Sequence, residues 1–244
     1  MRLLLPVCAC LMAISVSGHV ALAQVSKRIF DVQLGGPVSK LPSDQWVDPS
    51  CGTNGGPPSI RLDSFAGFAQ CRTERDTGLH EVWFIYDDEW EYIARAYRDP
   101  VEIGRYSANT FYSQPIITSL LIDDGGLVQG YRVVTDPRAP DDTRLLAHTL
   151  TEVFKAQFGA GDWQCVDLPQ QEREKPVDGT FVKQDCASVS ADRYVKVQGR
   201  LLRKPGQGNF DVAPEGYFES SARLEVYSTD AVKGAPCCQT SAPR

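Results

Sequence analysis

Hydrophobic and polar residues alternate along several stretches of the chain with the two-residue period of a β-strand. From Leu79 to Tyr86, Val82, Phe84 and Tyr86 fall on one face while Leu79, Trp83 and Ile85 fall on the other, which predicts a strand buried within a sheet. The stretch from Phe68 to Glu74 precedes it across a turn at Arg75-Asp76-Thr77-Gly78, so a hairpin is expected there. A second hairpin is predicted from Ile116 to Ile122 and Leu127 to Thr135, joined at Asp123-Asp124-Gly125-Gly126. Further strands are expected at Thr180 to Gln184, Arg193 to Arg203 and Ala222 to Tyr227, with a polar loop running to Pro176 before them and a loop from Gly206 to Gly216.

Two stretches change to the period of a helix. The first begins at Asp88, an N-cap with Glu91 three residues on, places Trp90, Ile93, Ala94 and Tyr97 on one side and stops at Asp99-Pro100. The second runs from about Asp142 to Phe158 and ends at Gly159, with Leu146, Leu150, Val153 and Phe154 inward and His148 on the solvated side. The predicted fold is therefore α+β, a mostly antiparallel sheet with two main helices packed on it. At an offset of 48 residues, the segment from Asp76 to Ile85 aligns with Asp124 to Val133 at its aspartate, glycine, leucine, aromatic and branched positions, which suggests a duplicated strand-turn-strand-helix unit. Between Ile122 and Ala147 the hairpin-helix pattern resembles small envelope domains such as the carboxyl-terminal domain of TonB, without a diagnostic motif, and nothing is carried over from it. The expected organisation is a signal at 1–23, an extended Gly/Pro-rich arm at 24–60, an α+β domain at 61–229 and a Cys-containing tail at 230–244. Within that domain the repeat units span 66–99 and 115–159, and a β-rich part spans 162–229.

The signal expectation rests on Arg2, an apolar stretch from Leu3 to Val16 and small residues in Ala21-Leu22-Ala23, with Gln24 as the first mature residue. The apolar run holds Pro6 and falls short of the ~20 residues that a membrane span needs, so no stable span is expected after cleavage. Six of the eight cysteines would remain, and an even number in an exported chain reads as a disulfide framework. Their distribution pairs Cys51 with Cys71 and Cys165 with Cys186, each closing a loop of about 20 residues that restricts the unfolded chain by roughly 3 kcal/mol. Cys237 and Cys238 are adjacent in the tail and could link two copies into a dimer. The missing Asn-x-Ser/Thr acceptor and the short signal favour the bacterial periplasm, with secretion as the alternative.

Charge narrows the partners. With 25 Lys and Arg against 31 Asp and Glu the chain carries a formal −6, the wrong sign for a nucleic-acid binder. No Cys-x-x-Cys or His-x-x-x-His pair points to a metal, and no Gly-x-Gly-x-x-Gly turn or Gly-x-x-x-x-Gly-Lys loop points to a cofactor. No Gly-x-Ser-x-Gly turn marks a serine nucleophile, so catalytic residues stay unassigned. His80, read as an edge-strand residue bonded to a neighbour, and His148 are the histidines beyond the signal. The connection around Tyr106, Phe111 and Tyr112 is the candidate binding feature, because loops on a rigid scaffold commonly recognise partners through aromatic faces. These signs favour an exported binding or scaffold module for an envelope protein or polysaccharide. The alternatives are a secreted hydrolase whose carboxylates the sequence does not mark, and a disulfide-stabilised inhibitor or virulence factor.

Overall fold

A computed structural model describes residues 28–87, 96–98, 109–159, 163–204 and 217–232. They build one antiparallel sheet of nine strands: β1 (Trp46–Cys51), β2 (His80–Tyr86), β3 (Thr110–Phe111), β4 (Gln114–Ile122), β5 (Val128–Thr135), β6 (Gln164–Asp167), β7 (Val182–Val189), β8 (Arg193–Lys204) and β9 (Tyr217–Ser228). The spatial order is β1-β2-β4-β5-β9-β8-β7-β6, with β3 paired on β4. Among the described residues the short helices α1 (Asp141–Arg144), α2 (Leu150–Gln157) and α3 (Thr229–Val232) accompany it, and none there is long and apolar enough to cross a membrane.

Alternation sorts the side chains onto two faces. Phe84 on β2, Leu120 on β4, Val133 on β5, Leu224 on β9 and Val197 on β8 point to one side and are fully buried. That face is covered by α2 through Leu150 and Phe154, by Phe65 of the turn at Phe65–Gln70, and by the N-terminal segment through Ile29 and Phe30. Stacked rings fill the layer, Trp46 on Phe84 at 4.4 Å and Phe111 on Phe154 at 5.6 Å, and each such pair contributes about 1 kcal/mol beyond its buried area. The N-terminal segment is also tied by hydrogen bonds: Ile29 N–H donates to the Tyr86 hydroxyl at 2.8 Å, and Gly35 and Val128 join through their backbones.

The second hairpin forms as predicted. Gly126 adopts φ +77°, a backbone that favours glycine, and its N–H closes the turn onto Asp123 O at 2.9 Å. Other expectations are corrected. Phe68 to Glu74 is not a strand: Phe65–Gln70 is a 3-10 turn, because Phe65 and Phe68 drop onto the covered face together. The first unit thus has a turn where the second has β4, its expected helix from Asp88 lies largely outside the described residues, and the duplication is not established. The helix expected from Asp142 to Phe158 is broken into α1, a 3-10 turn at Ala147–Thr149 and α2. Ser220 of β9 is the physical reason: its hydroxyl donates to Leu145 O at 3.0 Å and accepts from His148 N–H at 3.2 Å, taking the groups a continuous helix would pair internally. Among the described residues only α2 reaches two turns, so the second expected helix is shorter than predicted.

The segment 24–60 contributes β1, whose bulge between Val47 and Ser50 accommodates Pro49. The expected polar loop contains β6, a fully exposed edge strand. Both predicted cystine pairs are present, Cys51–Cys71 and Cys165–Cys186, and the second joins directly opposed residues of β6 and β7. The loop at Gly206 to Gly216 and the tail with Cys237 and Cys238 lie outside the described residues, while α3 carries the folded region to Val232.

Candidate functional site

The opposite face of the same strands is charged at its centre. Arg132 on β5 stands in register with Glu225 on β9, which stands in register with Lys196 on β8; one row further lie Val134, Arg223 and Gln198. Glu81 of β2 comes in from the side. All of these but Val134 floor a cleft of about 560 Å3, a size that suits a small ligand or a segment of a larger one.

Arg132 is 2% exposed and sits among three carboxylates, 2.7 Å from Glu74 and 2.9 Å from both Glu81 and Glu225. Burial works against its charge, yet Glu81, Glu225 and Glu74 outweigh it and hold the guanidinium above its ordinary pKa. Glu225 shows the complementary effect: burial would raise its carboxyl, but Arg223 at 2.6 Å and Arg132 bring it down to about 2. With Glu81 the contact is a charge pair whose Oε1 and Nη1 do not align for a hydrogen bond. Such a cluster adds little net stability, since desolvation offsets most of its Coulomb energy, but it fixes charge in place.

Two loops wall the cleft. Residues 52–54 follow β1 and residues 72–77 precede β2, and the Cys51–Cys71 bond joins their roots with a Cα separation of 5.1 Å. Each wall is also tied to the floor. Asn54 N–H donates to Glu81 at 2.5 Å, Arg223 Nη1 donates to Asn54 O at 2.9 Å, and Glu74 reaches Arg132 from the other wall. At Gly52 a Cβ would lie 2.3 Å from Glu81 Cγ, so this close approach requires glycine. Disulfide, glycine and ion cluster together hold the two walls at a set separation.

Sequence reasoning did not single out these residues. Their signal was an interruption of apolar strands, Arg132 between Tyr131 and Val133 and Glu225 between Leu224 and Val226; alternation places them on one face, but only the strand order brings them together. The residues that were singled out lie elsewhere. Phe111 is buried against Phe154 and Phe30, Tyr112 is 71% exposed, and Tyr106 lies outside the described residues, so Tyr112 alone of the described pair faces solvent.

Both histidine expectations need revision. His80 is not at a sheet edge, because β2 lies between β1 and β4; it is buried, with Nδ1 2.6 Å from Cys71 O and Nε2 3.0 Å from Asp124. It thereby braces the root of the second wall. His148 is half-buried at the helix break beside Ser220, and burial lowers its pKa despite its hydrogen bond to Leu145 O. No protein-family model, curated protein or solved structure matches the chain.

Proposed function

We propose that this chain is an exported envelope protein, periplasmic or secreted, that binds a protein or polysaccharide partner through the cleft on the charged face. One observation carries the reading: Cys51–Cys71, Gly52 and the Arg132 cluster preorganise two walls over a floor of fixed charge. Preorganisation of that kind lowers the ordering cost of binding, which is its use in a recognition site. The two disulfides are compatible with an extracellular chain. A hydrolase working by general acid catalysis needs a carboxyl that keeps a proton near neutral pH, whereas Glu225 is held ionised down to about 2. Tyr112, exposed outside the cleft, offers the partner an additional aromatic contact.

Native mass spectrometry of the full chain, purified without reductant from its exported fraction, tests this reading. The wild type is expected to carry a noncovalent partner that a Gln198→Ala, Lys196→Gln variant loses. A bare monomer in both preparations would sink the reading. A dimer that collapses on reduction would instead place the interface at Cys237 or Cys238.

A further inference from the structure

We infer that the cleft takes an acidic oligosaccharide, a hydroxyl-rich chain bearing uronic carboxylates; this rests on reading the cleft as a binding site. Buried Glu81 and Glu225 and half-buried Glu74 are turned onto Arg132, and Arg223 is engaged by Glu225 and Asn54, so these charges are answered within the protein. What remains toward the opening is Arg72, Arg75 and Lys196 against Asp76. Among the described residues none of those three cations forms a salt bridge with a carboxylate, though Lys196 faces Glu225 across the β8–β9 ladder and helps to hold its carboxyl down. The accessible charge of the cleft is therefore positive in a chain whose formal charge is −6, and an anion is attracted to this spot against the general field.

The rest of the lining distinguishes the kind of anion. Thr53, Asn54, Thr73 and Gln198 line the cleft with hydroxyls and amides. Thr53 donates to Pro57 O, Asn54 Oδ1 accepts from Arg223 and Gln198 donates to Asp185. The remaining capacity, the Thr73 hydroxyl, the Asn54 amide N–H groups and the Gln198 amide oxygen, matches sugar hydroxyls. An acidic peptide would look for sheet-edge backbone or apolar side-chain pockets. Here the floor strands β5 and β9 are paired on both sides, and the lining is mostly polar. Arg72 and Arg75 sit on a wall whose root is fixed by the disulfide, so less backbone ordering is needed for their guanidinium groups to grip a carboxylate in a fork.

The test is calorimetric titration of the full oxidised chain with tetragalacturonate and tetramannuronate, with maltotetraose as the neutral control and tetraglutamate as the peptide control. At least one uronate is expected to bind about tenfold or more tightly than either control, with affinity falling as salt is raised. An Arg75→Gln, Lys196→Gln variant is expected to lose about tenfold in uronate affinity with an unchanged circular-dichroism spectrum, since both side chains reach solvent. Uronate binding that this variant leaves unchanged overturns the inference, as does binding of neither uronate. If maltotetraose or tetraglutamate binds better and Gln198→Ala abolishes it, the anionic-sugar inference falls while the cleft stands as a binding site. A bare monomer by native mass spectrometry together with no binding of any of the four oligomers removes both.

Discussion

The two faces of the sheet are made from the same strands and differ by one residue of register. On the covered face Val133 and Leu224 are packed under Phe65, Phe154 and the N-terminal segment, and the stabilisation comes from apolar area withdrawn from water. On the charged face their immediate neighbours, Arg132 and Glu225, are nearly as inaccessible, yet what holds them is a lattice of ion pairs whose net worth is small. The comparison teaches that burial has two meanings here. One face provides the free energy of folding, and the other uses part of it to hold charges at a cleft.

The largest effect is expected from breaking each face at its centre. Phe84→Ala removes a fully buried ring stacked on Trp46 and should cost about 3–5 kcal/mol, independent of pH. Arg132→Ala should cost a similar 3–5 kcal/mol at pH 7 for a different reason, because Glu74 and Glu81 lose their cation and Glu225 is left with Arg223 alone. The two are separated by acid. Unpartnered carboxylates protonate readily, so the Arg132→Ala deficit should shrink as pH falls toward about 4, whereas the Phe84→Ala deficit should not. In the wild type the sign is reversed: Glu225 is depressed from 4.5 to about 2, so the pH-dependent part of the stability, about 3 kcal/mol for ionised over protonated Glu225, is complete above 4.5 and is lost as pH falls through 2. Urea unfolding followed by tryptophan fluorescence measures all three, and an Arg132→Ala deficit that stays constant with pH would refute the charge account.

The two disulfides sharpen the comparison at the next level. Each spans a similar loop, with sequence separations of 20 and 21, so the double Cys→Ala variants should each lose about 3 kcal/mol by releasing the unfolded chain. Their consequences for binding should differ. Cys51–Cys71 joins the walls of the cleft, while Cys165–Cys186 staples the far edge at β6 and β7. Binding, measured below the unfolding transition, should weaken about tenfold or more in the first variant and stay within a factor of two in the second. Equal binding in both would show that the bond joining the walls does not shape the cleft.

Much of the covered face was legible in the chain because period-two alternation in β5, β8 and β9 is strong and each turn carries its own chemistry, as at Gly126. β1 was hidden by Asp48-Pro49, a pair that reads as a strand breaker and is absorbed by a bulge, and β6 by having four residues, all exposed. The cystine pairs were readable from spacing. The cleft was not, since Glu74, Glu81, Arg132 and Glu225 come from separate strands and loops and nothing local marks their meeting. The helix break was illegible for the same reason: the hydroxyl that causes it belongs to Ser220, 75 residues away from Leu145.

Ser220 supplies the smallest and most discriminating test, because it is a buried polar residue that touches the covering helices instead of the cleft. Its hydroxyl answers Leu145 O and His148 N–H with two neutral hydrogen bonds. Ser220→Ala should therefore cost about 1 kcal/mol, well below Arg132→Ala, since neutral groups are less costly to leave unpaired than charges. The loss should be felt locally, as faster amide exchange at His148 and Thr149, while ligand affinity is unchanged. A cost of 3 kcal/mol or more would mean that polar groups under the helices matter as much as the ion cluster, and the division between the two faces would fail. No change in either stability or exchange would mean that the helix closes across the gap by itself, and that Ser220 is not what breaks it.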